Sequence, residues 1–227
     1  MKKLSKKEYA VKMQEQRASL YSLSNQQLKV IVSDPHHLTQ FLSLMATINY
    51  TVNNSLLVYA QKPYSKELKT LEKWSKSDVH VNKGEKGIKI LEPTTEYTRK
   101  DGSKGMNYSL KCVFDISQTD GIEKDYQMDK DAIRAGIIDS SCPIVVSSNP
   151  SQLYPVEYDS TNNQMNVLSN ISYEDELNGL FKASAMKESM NQIPSHKQDF
   201  ISNCVGYMLS IRFHIPNYNT FTFTGVM

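Results

Sequence analysis

Five histidines, three cysteines and one run of acids are the side chains of this 227-residue chain that could hold a metal, attack a carbonyl or carry a proton. A zinc hydrolase of the HExxH type needs two histidines one helical turn apart, with a glutamate between them as base. No two of His36, His37, His80, His196 and His214 stand at i, i+4, and the adjacent His36 and His37 point in different directions on a helix. Cys112, Cys142 and Cys204 are far apart and form no CxxC. The chain has no GxSxG and no GxxxxGK[ST]. Its glycine-bearing stretch Lys83-Gly84-Glu85-Lys86-Gly87 leads into a strand, so it lacks the helix N-terminus that a phosphate loop exploits. Glu174-Asp175-Glu176 open a helix, where solvated acids are favoured by the macrodipole. These observations predict no catalytic residue, no metal and no cofactor.

A different chemistry has a foothold in residues 50–111. There Lys62, Lys66, Lys69, Lys73, Lys76, Lys83, Lys86, Lys89, Arg99, Lys100, Lys104 and Lys111 interleave with Tyr50, Tyr59, Tyr64, Trp74, Tyr97 and Tyr108. Asn49, Asn53, Asn54 and Gln61 lie nearby. Lysines that track phosphates and flat rings that stack on unpaired bases hold a flexible single strand, at about 1–3 kcal/mol per stacked base. Lysine far exceeds arginine, which suits backbone neutralisation without base reading. The candidate single-stranded-DNA contacts are Tyr50, Asn53, Asn54, Gln61, Lys62, Trp74, Lys83, Lys86, Lys89, Arg99, Lys100, Lys104, Tyr108 and Lys111. The plainer account is a solvated surface with tyrosines over a core, and Trp74 shares a helical face with Leu68 and Leu71.

The elements that must position these residues follow from periodicity. Residues 5–32 read as helical from a Ser5 cap, with a break at Ser22-Leu23-Ser24-Asn25. Asp34-Pro35 starts an amphipathic helix over 35–48, and Ser55 to Gln61 forms another, stopped before Pro63. Ser65 is expected to cap a third, carrying Leu68, Leu71 and Trp74. Strands are expected at Ile88–Leu91, Thr94–Thr98 and Met106–Ile116, the last two joined through Asp101-Gly102. The polar, acidic stretch 115–131 offers a linker or an exposed loop. Then come a short helix (129–135), strands at 143–147, 155–158 and 164–168, helices at 171–190 and 196–213, and an alternating strand at Tyr218–Phe223.

Charge divides with the pattern. Residues 1–111 hold nineteen Lys+Arg against ten Asp+Glu, whereas residues 112–227 hold seven against fourteen. A basic half suits a polyanion and an acidic half avoids one, unless the halves simply attract each other. Apolar residues are 39% and charged residues 22%, which excludes wholesale disorder, and no apolar run spans a membrane. The basic N-terminus lacks the apolar stretch of a secretory signal, and the odd cysteine count suits a reducing cytoplasm.

Residues 50–119 resemble a known family. Tyr50-Thr51-Val52-Asn53-Asn54-Ser55-Leu56-Leu57-Val58-Tyr59-Ala60-Gln61-Lys62-Pro63 resembles the "YS..N.LLI..Q.P" segment of ArdC-type antirestriction proteins, with Trp74 at the family's tryptophan. Val81 to Pro93 is similar to the family's "V.KGEKGI.IL.P", and Val113 to Thr119 to its "VFDISQT". The resemblance implies a single-stranded-DNA-binding domain found on plasmids and other mobile elements. It also implies a second, zinc-metallopeptidase-like domain. Where its HExxH should lie, this chain reads Leu180-Phe181-Lys182-Ala183-Ser184-Ala185-Met186, and Lys182 and Met186 cannot replace two imidazoles.

The expectation is therefore an α+β protein of two domains. Residues 1–125 would form N-terminal helices with a small antiparallel sheet that binds single-stranded DNA. Residues 126–227 would form a degenerate, metal-free zincin-like α+β domain. The expected function is that of a non-catalytic accessory protein of a mobile element, supporting replication or priming beside a polymerase or primase. The alternative is an antirestriction or regulatory protein acting through protein contacts.

Overall fold

The computed structural model describes residues 5–123, 128–140, 142–149 and 151–216. The strand expected at Tyr218–Phe223 lies outside the described residues. The α+β expectation holds: the described residues contain seven α-helices and two three-stranded sheets. They divide into two units, Met1–Lys124 and Asp125–Met227. Among the described residues no helix is long and apolar enough to cross a membrane.

In the first unit, α1 (Lys6–Ser33) begins with a Ser5–Glu8 capping box. The break expected at Ser22–Asn25 does not occur. Leu20 and Leu23 pack against Leu57, Leu91 and Leu110, and this burial outweighs the weak helix propensity of two serines and an asparagine. The turn comes instead at Asp34, which ends α1 and caps α2 (Pro35–Thr47) by accepting from the His36 N–H at 2.8 Å. Helix α3 (Val52–Gln61) follows, and Tyr59 meets Phe41 of α2 edge-on at 5.7 Å.

The third predicted helix is shorter than expected and starts later. Leu68–Lys69 is strand β1, and Thr70, not Ser65, caps α4 (Leu71–Lys76). The reason lies at Asp115, whose carboxylate accepts the N–H groups of Lys66 and Glu67 at 2.7 and 3.2 Å. That holds residues 66–69 extended beside β3. Strand β2 is one strand, Ile88–Thr98, with an irregularity between Pro93 and Glu96, and it pairs with β3 (Lys104–Asp115). The sheet order is β1-β3-β2, all antiparallel. The acidic stretch expected as a linker or an exposed loop begins as a 3-10 turn, Ile116–Gln118, built into this unit; residues 124–127 lie outside the described residues.

In the second unit, α5 (Lys130–Ser140) leads to β4 (Ile144–Ser147), β5 (Val156–Asp159) and β6 (Gln164–Leu168). The order is β4-β6-β5, with β4 parallel and β5 antiparallel to β6. Helix α6 (Tyr173–Ser189) is capped by Ser172, and α7 (Ser195–Arg212) follows. Leu180 and Ala183 of α6 join Val156, Met165 and Val167 of the sheet in one core. Leu177 and Phe181 join Ile215 in a second, where Phe181 and Phe213 stack at 5.6 Å.

Candidate nucleic-acid interface

Helix α3 lies along the free edge of β2, and two of its amides grip that edge. Asn54 donates to the Leu91 carbonyl at 2.9 Å and accepts the Leu91 N–H at 3.0 Å. Gln61, two helical turns on, repeats the pattern on Lys89, with both bonds at 2.9 Å. Strand residues i and i+2 present outward groups on the same edge, so amides seven residues apart on one helical face match them. The straps satisfy backbone groups that an edge strand otherwise leaves open. They also correct the sequence reading: Asn54, which is buried, and Gln61 are engaged with the protein's own backbone rather than free to meet a strand of DNA. Asn54→Ala should cost about 2 kcal/mol by orphaning a buried N–H and C=O, and Gln61→Ala about 1 kcal/mol because its site is exposed. Urea unfolding followed through Trp74 measures both.

A second network holds the loop before β2. The Asp115 side chain accepts from Ser117 N and Oγ at 3.1 and 2.6 Å, besides the two N–H groups named above. Gln118 accepts the Asp115 N–H at 3.0 Å and donates to the Lys86 carbonyl at 3.0 Å and to Glu85 at 2.7 Å. Asn82 donates its N–H to the Gln118 carbonyl at 2.9 Å. Gly84 sits at φ +94°, and a Cβ at Gly87 would stand 3.1 Å from Cys112 Cβ and from the Phe114 ring. The two glycines let the loop turn sharply and pass close over β3. Its backbone is fixed while its lysine side chains, Lys83 and Lys86, stay exposed.

These two devices frame a groove of about 930 Å³. Leu20 and Leu23 of α1, Ile88 and Cys112 give it an apolar floor, and Lys62, Lys86 and Lys89 line it. Glu85 is the lining carboxylate, and Gln118 holds it. Lys83 extends from the same loop. Among the described residues Lys62, Lys83, Lys86 and Lys89 have no carboxylate within ion-pair distance, whereas Lys66, Lys69, Lys76, Lys104 and Lys111 are each paired at 2.6–2.8 Å. A smaller cavity of about 240 Å³ shares no described lining residue with the groove and has Lys111 and Val113 in its lining. Tyr50 borders it, and half-burial pushes that phenol's pKa up, opposed in part by Lys111.

The remaining candidates scatter. Trp74 is 1% exposed and its indole N–H donates to the Phe114 carbonyl at 2.9 Å, so it belongs to the core and cannot stack on a base. Arg99 donates to Ser103 Oγ and to the Lys104 carbonyl at the hairpin tip, and its guanidinium lies 5.7 Å from the Tyr97 ring. Lys104 pairs with Glu96, Lys100 is exposed, and Tyr108 is 37% exposed; none of these lines the groove. Asn53 is exposed on α3. The sequence reading passed over Leu20 and Leu23, for which no local signal exists because they reach the site from α1. Tyr64, 75% exposed and two residues from Lys62, belongs to the interleaved rings but not to the candidate contacts.

The second unit has its own cavity, of about 220 Å³, lined by Tyr154, Glu157, Lys182, Met186 and Asp199 among others. The Lys182 ammonium is 3.0 Å from Asp199 and 4.0 Å from the centre of the Tyr154 ring. A donor set with an ammonium at its centre does not fit a metal ion. Among the described residues no three His, Cys, Asp or Glu side chains come together to hold one.

Fold and groove thus define an α+β protein whose first unit straps a helix to a sheet edge and exposes unpaired lysines beside it. The chain is similar to solved structures of the antirestriction protein ArdC from the R388 plasmid. The metal-free form is 20% identical, with 74% of this chain and 69% of that chain covered and a TM-score of 0.48. The Mn(II)-bound form shows the same identity and coverage and a TM-score of 0.46. These proteins are of the type whose motifs residues 50–119 resemble. No family model matches the chain, and no curated protein matches it.

Proposed function

We propose that residues 1–124 bind single-stranded DNA along the groove, and that the chain is a non-catalytic accessory protein of a mobile element. One observation carries this reading: four lysines without carboxylate partners among the described residues, Lys62, Lys83, Lys86 and Lys89, gather around a single groove, and none of the paired lysines lines it. Paired lysines have half spent their field; unpaired ones on a fixed backbone are placed for phosphates. An apolar floor with exposed Tyr64 beside Lys62 suits unstacked bases. A polymerase or primase is the expected partner, in a reducing cytoplasm.

Cys112 supplies the test, because it lines the groove and is exposed. Cys142 is buried, and burial pushes the Cys204 thiol up to about 12, so both react slowly with alkylating agents. A saturating oligonucleotide at low salt should slow alkylation of Cys112 by about tenfold and leave the other two rates unchanged. An unaltered Cys112 rate would overturn the groove as the binding site.

The same proposal makes the second unit non-catalytic and a relic of a metallopeptidase fold. Its support is Lys182, which places an ammonium against Asp199 in the segment where the resemblance asks for a histidine pair. Stoichiometric metal in the purified protein would count against it. The alternative, an antirestriction or regulatory role through protein contacts, draws on Val146 and Leu153 of this unit, 72% and 84% exposed. Capture of a restriction or nuclease subunit in the absence of DNA would favour that alternative.

A further inference from the structure

We infer that the smaller cavity of the first unit is a site for a single nucleotide bearing a terminal phosphate. The inference deepens the nucleic-acid reading of this unit but concerns a cavity that shares no described lining residue with the groove, so the two stand or fall separately. Three lysines line the cavity, Lys69 of β1, Lys73 of α4 and Lys111 of β3. Glu92 lines it too, and Glu67 pairs with Lys69, so among the described residues Lys73 supplies the uncompensated positive charge. Lys73 is exposed and has no ion pair among the described residues. Lys69 is held by Glu67 at 2.7 Å and Lys111 by Glu92 at 2.6 Å, but these pairs are a third to a half exposed. Such pairs contribute about 0–1 kcal/mol, less than a doubly charged phosphate returns in charge-assisted bonds.

The walls favour a base over a bare anion. Ile90 and Val113 form an apolar floor, and the half-buried Tyr50 ring stands at the rim. Apolar side chains and a ring beside lysines match the base and the phosphate of a nucleotide. The volume of about 240 Å³ lies below the range of about 300–1,000 Å³ that encloses a small molecule, so a single nucleotide would fill it and extend beyond its mouth, and a run of them is excluded. The nucleotide comes either free or as the 5′-phosphorylated end of a strand.

The sole tryptophan reports on this site, because the Lys69 ammonium lies 4.2 Å above the Trp74 ring. A phosphate that draws Lys69 away changes the indole's emission. The full chain is titrated with deoxyadenosine monophosphate, with deoxyadenosine and with inorganic phosphate, exciting Trp74 at the red edge of its band. The monophosphate should bind at least about tenfold more tightly than either part alone, since each lacks one set of contacts. Lys73→Met with Lys111→Met should weaken it by about tenfold or more while the free protein's emission and circular dichroism stay unchanged. The Lys83, Lys86 and Lys89 triple variant should bind the monophosphate as the parent does, which separates this site from the groove. A 5′-phosphorylated oligonucleotide that displaces the monophosphate better than its 5′-hydroxyl twin assigns the site to strand ends; displacement by neither assigns it to the free nucleotide. Equal binding of monophosphate, nucleoside and phosphate, indifference to the Lys73/Lys111 pair, or equal competition by a glutamate-bearing peptide would each overturn the inference.

Discussion

Replacing Lys83, Lys86 and Lys89 together with glutamate is expected to weaken binding of a short single-stranded oligonucleotide by about a hundredfold at low salt. Each lysine contributes about 1 kcal/mol through a charged contact, and three such contacts amount to two decades. The salt dependence should change too. A single strand releases about 0.7 counterion per neutralised phosphate, so the slope of log affinity against log salt should flatten by about 2. Fluorescence anisotropy of a labelled oligonucleotide at several salt concentrations reads both quantities. Fold damage is not expected, because all three side chains are exposed and none takes part in the straps or the loop network. Unchanged affinity and slope would remove the groove as the binding surface.

Asp115→Ala should be the most damaging single substitution in the first unit, at about 3–5 kcal/mol. The side chain is 1% exposed and accepts four hydrogen bonds, from Lys66 N, Glu67 N, Ser117 N and Ser117 Oγ. Alanine leaves those donors without an acceptor in a packed environment. Asp115→Asn should cost less, since one carbonyl oxygen still accepts. Denaturation followed through Trp74 reports on this unit alone, as the chain has no other tryptophan. A loss below about 1 kcal/mol would show that Asp115 is not the knot described. The substitution should also loosen residues 82–87, whose backbone hangs from Gln118, and so weaken oligonucleotide binding indirectly.

These two residues sets show how far motifs can be read. The segments Tyr50–Pro63, Val81–Pro93 and Val113–Thr119 are legible as motifs in the sequence alone. Their most distinctive polar residues, Asn54, Gln61, Asp115 and Gln118, turn out to bind backbone within the first unit. A motif therefore marked the architecture that presents the lysines rather than the contacts themselves. Polar residues in a sequence look alike whether they face a ligand or a neighbouring strand, because only burial and partner geometry tell them apart.

Periodicity and caps determined much by themselves. Ser5, the Asp34-Pro35 step, the Asp101-Gly102 turn and Ser172 each place an element boundary through interactions within a few residues, so local chemistry suffices. The sequence also determined that positive charge concentrates in the first half and that no HExxH pair exists. Tertiary structure decided the rest. It carried α1 through Ser22–Asn25, turned the segment after Ser65 from helix to strand, and sank Trp74 into the core. It brought Leu20 and Lys89 to one groove and Lys69 and Lys111 to one cavity. Those outcomes depend on partners 40 to 90 residues away, where burial and backbone satisfaction outweigh local preferences of a few tenths of a kcal/mol.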